Sequence, residues 1–106
     1  MRDEPFDVCP TDVVHAPVER VWPLLIEPSR LHWVDAKLVS APARALAVGD
    51  RLLFRAGPGL RVSWSVVAVE PEHSLTLDIA LPFGVTNHET VVLTRIDDAS
   101  CRVTFN

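Results

Sequence analysis

The sequence has no concentrated positive charge, no long apolar run and almost no cysteine, and each lack removes a class of function. Ten Lys and Arg stand against fourteen Asp and Glu, for a net charge of -4. The arginines from Arg20 to Arg102 are interleaved with acids. Nucleic-acid binding draws its affinity from a basic stripe that releases counterions, so nucleic acid is not expected as a partner. No apolar run approaches the ~20 residues that span a bilayer, and the opening "MRDEPFDV" is acidic, unlike a signal peptide. A soluble, cytoplasmic protein with no transmembrane segment is expected. Cys9 and Cys101 lie far apart in strand-like apolar contexts, which suits buried reduced thiols better than a disulfide staple.

Catalytic and cofactor signatures are also missing. His15, His32, His73 and His88 show none of the spacings HxH, HxxH or HxxxH, and no Cys-x-x-Cys accompanies them. No metal is therefore expected. A GxSxG elbow, a glycine-rich phosphate loop and a convincing pair of carboxylates are absent as well, and no cofactor is implied.

What remains is one domain's worth of chain, 106 residues of which 48% are hydrophobic and 23% charged. A domain this small hides only roughly two-thirds of its unfolded surface, so an internal cavity costs stability. Its least ordinary stretch is "HAPVERVWPLLIEPSRLHW", residues 15–33, where Pro17, Pro23 and Pro28 interrupt helical spacing. Val18, Val21, Trp22 and Leu25 recur every three or four residues and form one apolar stripe. Pro17 suits the first helical position, where a missing N–H costs nothing. Pro23 removes the bond to the Glu19 carbonyl and should kink or shorten the helix. Pro28 then restarts a second short helix, "PSRLHW", so two short helices meeting at an angle are predicted.

Around them the pattern is β. "FDVCPTDVV" (6–14) reads as a first strand, weakened by Pro10 to an edge or a bulge. "DAKLVSAP", "RLLFRA", "LRVSWSVVAVE", "LTLDIAL", "VTNHETVVLTRI" and "CRVTFN" follow, separated by the turns "VGD", "GPG", "EPEHS", "PFG" and "DDAS". Short turns between successive strands imply an antiparallel meander of about six or seven strands. Alternation gives it one solvated face, with Thr76 and Asp78, and one apolar face carrying Phe54, Trp64, Leu75, Leu77, Ile79 and Val92. Two short helices cannot cover such a face; another helix, a ligand or a second subunit in a homodimer must complete it. Because the sequence stops within a strand at Asn106, a C-terminal helix beyond it is expected, with residues 1–106 forming a single, C-terminally truncated domain.

The succession "APVERVWPLL", "EPSRLHW", "VGDRLLF", "WSVVAVEPEHSL" and "LTRIDDASCRVTF" resembles the START-like, helix-grip (SRPBCC) superfamily, and most of all its polyketide cyclase/dehydrase and lipid-transport branch. The resemblance spans about residues 8–105; "APVERVW" is its most telling piece. It implies an α+β fold in which a curved seven-stranded antiparallel sheet grips a long C-terminal helix. Two short helices close one end, and an apolar cavity for a lipid, polyketide or quinone lies between sheet and helices.

The candidate site residues follow from pattern and resemblance together. Trp33 ends the second short helix, which in the superfamily faces the cavity entrance; it either stacks on a flat ligand or plugs the gap between helix and sheet. Trp22 belongs to the core. Phe54, Trp64, Leu77 and Val92 form either a cavity wall or a filled core, and Phe83 in "LPFG" stands at the rim. His88 shares parity with Thr86, Thr90 and Val92; it reaches into the cavity as an orienting group or general base, or it is a surface or structural histidine. Asp35, at i+3 from His32, is a second weak catalytic candidate or half of a salt-bridged helix end. Binding of a hydrophobic small molecule is the expected function. A polyketide cyclase, aromatase or dehydratase and a protein-interaction module are the alternatives.

Overall fold

The computed structural model describes residues 11–33 and 36–105. The alternating segments become seven strands: β1 (Thr11–Val14), β2 (Lys37–Ser40), β3 (Arg51–Gly57), β4 (Leu60–Glu70), β5 (Ser74–Ala80), β6 (Thr86–Asp97) and β7 (Ser100–Phe105). They form one sheet in the order β1-β7-β6-β5-β4-β3-β2, and every neighbouring pair is antiparallel. The meander runs from β2 to β7, and β1 returns to cover the free side of β7. The part of the expected first strand before Thr11, with Cys9 and Pro10, lies outside the described residues.

Turn chemistry sets the register. Between β3 and β4 the chain reverses at Pro58–Gly59, with Gly59 at φ 72°, the residue order that a turn with one left-handed position requires. The reversal brings Leu52 opposite Trp64 and Phe54 opposite Val62. Further across the sheet, Trp64 pairs with Ile79 and Ile79 with Asn87, while Val66 pairs with Leu77 and Leu77 with Glu89. These residues share one face, called inner here because it carries the core. The pairing shifts between Val66 and Ala68. Strict alternation would keep Ala68 on the inner face; the extra residue puts Val69 there instead, opposite Leu75, as a bulge does.

One α-helix, α1 (Val18–Ile26), and a 3-10 helix at Pro28–Trp33 follow β1. Val18, Val21, Trp22 and Leu25 are the buried stripe of α1, at the spacing that turns one helical face to a core. Pro17 is the N-cap, and its carbonyl accepts from the amides of Arg20 and Val21. The helix runs through Pro23, whose carbonyl accepts from the Glu27 amide at 3.0 Å. It ends because Pro28 holds the preceding residue extended: Glu27 has φ -100° and ψ 111°. Glu19 on α1 is ion-paired with Arg95 on β6, tying the helix to the sheet. Among the described residues, no helix is long and apolar enough to cross a membrane.

The loop into β3 is held by a carboxylate. Asp50 accepts two bonds from the Arg44 guanidinium, at 2.6 and 2.9 Å, and one from the Ala47 amide at 2.8 Å. Arg44 and then the Ala47 amide hold the Asp50 carboxyl below its ordinary 3.8. Arg95 does the same for Glu19, and the Ala99 amide with the Ser100 hydroxyl for Asp97. A carboxyl whose pKa is lower folded than unfolded stabilises fully above the unfolded value and stops doing so as pH falls through the folded one. The melting temperature is therefore expected to drop as pH falls through and below about 4. Asp50→Asn should lower it near neutral pH and flatten part of that acid slope, as read by circular dichroism melts across pH.

Candidate functional site: the inner face of the sheet

The inner face is uniformly apolar where the strands are deepest, and it opens towards one end. That end, the lower one, carries the β3–β4 and β5–β6 turns; the β4–β5 and β6–β7 turns lie at the upper end. Along β4, Val66 and Trp64 are buried, Val62 is half-buried and Leu60 is exposed. Along β5, Leu75 and Leu77 are buried and Ile79 is half-buried. On β6 the series is Leu93, Val91, Glu89 and Asn87, from buried through half-buried to exposed, and on β7 it is Cys101, Val103 and Phe105. Four strands thus lose cover in the same direction.

On β3 and β4, Phe54, which stands opposite Val62, is 1% exposed and Trp64 8%, and their rings pack at 4.6 Å between centroids with a 46° tilt. Such a tilted contact adds about 0.5–1.5 kcal/mol to what burial alone supplies. Cys101 is a free, buried thiol opposite Val14 and Arg95, and burial pushes its pKa up. A protonated, enclosed thiol is a packing group rather than a nucleophile.

Among the described residues, two clefts flank the helical segment. One of about 240 Å³ lies between α1 and the β1–β7 side, lined by Val14, Val21, Leu24, Leu25, Val103 and Phe105 with Asp12 at its margin. The other, about 500 Å³, lies beside β2 and the loop after it, where Leu38, Ala41 and Pro42 meet the polar side chains of Glu27, Ser40 and Arg44. The first is the more apolar. Neither is lined by Phe54, Trp64 or Leu77.

A sequence profile of the polyketide cyclase/dehydrase and lipid transport family matches residues 7–106. The chain belongs to that family. Solved structures share the fold at low identity. Ms6760 from Mycobacterium smegmatis is 23% identical with a TM-score of 0.68, the match covering 92% of this chain and 68% of that one. CalU16 from Micromonospora echinospora is 19% identical with a TM-score of 0.67, covering 92% and 57%. The Aha1 dimer from Colwellia psychrerythraea is 16% identical with a TM-score of 0.70, covering 93% and 74%. The chain therefore spans little more than half of CalU16. No curated protein matches it by sequence. The helix-grip, SRPBCC-type fold expected from the sequence is the one found.

Within this member of the family, the expected site residues separate into groups. Phe54, Trp64 and Leu77 share the inner face. Val92 does not, which corrects the expectation that it looks inwards, and neither does His88, which takes the second of its two readings, a surface histidine, and not the ligand-facing one. The β5–β6 turn sets Ala80 opposite Thr86, so Leu77 faces Glu89, and His88 falls opposite Asp78 on the outer face. There the His88 ring N–H donates to the Asp78 carboxylate at 2.5 Å, and the imidazole is largely exposed. Val92 lies opposite Ser74 and Thr104 on the same outer face. Phe83 stands in the β5–β6 turn and is 94% exposed. The Trp33 side chain and Asp35 lie outside the described residues.

The register also brings in two polar groups that alternation alone did not single out. Asn87 and Glu89 sit on the inner face at its open end, opposite Ile79 and Leu77. Alternation does not find them, because the inward parity of β6 is set by the pairing of Ala80 with Thr86 across the turn.

Proposed function

We propose that the chain binds a hydrophobic or amphipathic small molecule, of the lipid, polyketide or quinone class, against the open end of the inner face. The observation that carries this is the shared loss of cover along β4, β5, β6 and β7, which leaves Val62, Ile79 and Phe105 half-buried beside Asn87 and Glu89. An apolar surface with a few polar groups at one margin is the usual composition of a small-molecule site. The apolar part of a ligand would lie on Ile79 and its neighbours. Asn87 can donate and accept, and Glu89 can accept, from a polar end. A ligand hiding about 200 Å² of apolar surface gains ~5 kcal/mol before association costs, enough for useful affinity without any catalytic group. The outward His88–Asp78 pair takes the imidazole away from this surface, and a binding role fits the arrangement better than proton transfer. The family's description, which includes lipid transport, points the same way.

Ile79→Trp is expected to fill the open end while leaving the deep core intact. It should weaken binding of anilinonaphthalene sulfonate, followed by fluorescence titration, by about tenfold, equivalent to ~1.4 kcal/mol. Native mass spectrometry of the unsubstituted protein should show a co-purified apolar molecule that Ile79→Trp lacks. Unchanged titrations with no bound molecule in either protein would remove the proposal.

A further inference from the structure

The lower end of the sheet carries a second feature, on its outer side and in its turns. Lys37, Arg55 and Arg61 stand directly opposite one another on β2, β3 and β4. All three are exposed, and among the described residues none has a carboxylate partner within ion-pair distance. Like charges in register oppose folding, so the row is not there for the stability of the sheet. The same end holds the Pro82–Gly84 turn, which packs against β4.

In that turn Phe83 is 94% exposed and has φ 71°. A bulky side chain in left-handed backbone is strained, and nothing is gained from burying this one. Val85 and Leu60 beside it are also exposed. Acids gather at the other end: Glu70 and Glu72 at the β4–β5 turn, Asp97 and Asp98 at the β6–β7 turn. Among the described residues of the lower half, Asp78 is engaged by His88, Glu89 faces inwards, and Asp12 lies on β1, at the far side of the sheet from the cation row.

We propose that this end docks on an anionic lipid bilayer, with Phe83, Val85 and Leu60 entering the interface and Lys37, Arg55 and Arg61 meeting the headgroups. An aromatic residue at a tip, cations behind it and acids at the opposite pole form the charge separation that orients a protein of net negative charge on such a surface. The inference goes beyond binding of an interior ligand and does not need one.

Vesicle co-sedimentation tests it, comparing phosphatidylcholine vesicles with vesicles that also contain phosphatidylserine. The protein should sediment with the second and not the first, and added salt should release it. Replacing Lys37, Arg55 and Arg61 together with Gln should weaken binding on the order of 100-fold, at about fivefold per cation. Phe83→Asn places a residue that tolerates positive φ and should weaken binding at least about tenfold. Its circular dichroism melt should be unchanged or raised, which separates docking from folding. Ile79→Trp should leave vesicle binding unchanged, so failure of the ligand reading and failure of docking are distinguishable. Three outcomes would overturn the proposal: no binding to either vesicle, equal binding to both, or a dimer in sedimentation velocity that Phe83→Asn dissolves. The last would make a second copy of the chain the occupant.

Discussion

Phe54→Ala is expected to cost about 3–5 kcal/mol, measured by urea denaturation. The ring is 1% exposed and lies against Trp64, so its removal loses both burial and a contact that no neighbour on the sheet can replace. A domain of this size holds roughly 5–15 kcal/mol in all, and the melting temperature should fall by at least about 12 °C. A double-mutant cycle with Trp64→Leu should recover a coupling of about 0.5–1.5 kcal/mol for the ring pair. A loss within about 0.5 kcal/mol, as at surface positions, would mean that Phe54 is not in the core.

The second large effect is expected at Trp22→Ala, again about 3–5 kcal/mol, with a different signature. The helix that carries Trp22 has nine residues and contains Pro23. Isolated helices shorter than about 12–15 residues are marginal in water, so α1 depends on its docked stripe to be helical at all. Native-state hydrogen exchange should therefore accelerate across residues 18–26 more than in β4–β6. Arg20→Ala, on the exposed side of the same helix, should stay within about 0.5 kcal/mol of the parent. Uniform acceleration over the whole sheet would show instead that helix and sheet open as one unit.

Most of the fold was legible because its two periodicities are clean. Leu75, Leu77 and Ile79 against Thr76 and Asp78 announce β5 and its inner face; Val18, Val21, Trp22 and Leu25 announce α1. The prolines marked the helix boundary correctly at Pro28, whereas Pro23 proved tolerable within a helix held by packing. The faces of β6 were harder. "VVL" at 91–93 offers apolar residues of both parities, so the strand alone does not say whether Val92 or its neighbours Val91 and Leu93 look inwards. That choice is made by the turn pairing Ala80 with Thr86, a tertiary fact. It carries His88 out and Glu89 in, against the simple expectation that a carboxylate seeks water. Ala68 departs from alternation for the same kind of reason, since a one-residue bulge reverses every later position on the strand. The site was therefore less legible than the fold: Phe54, Trp64 and Leu77 could be read from alternation, and Asn87 with Glu89 could not.

The pairing of β1 with β7 has a consequence for synthesis. Thr11 and Thr104, whose hydroxyls are 2.6 Å apart, are separated by 93 positions. At about 5–20 residues per second, a ribosome needs roughly 5–20 s to make that interval. For all of that time the first strand has no partner, whereas hairpins such as β4–β5 can close within about 1–10 μs. β1 is thus a piece of the nascent chain exposed to mispairing with other chains, and a cell that slows translation of this message lengthens that window in direct proportion.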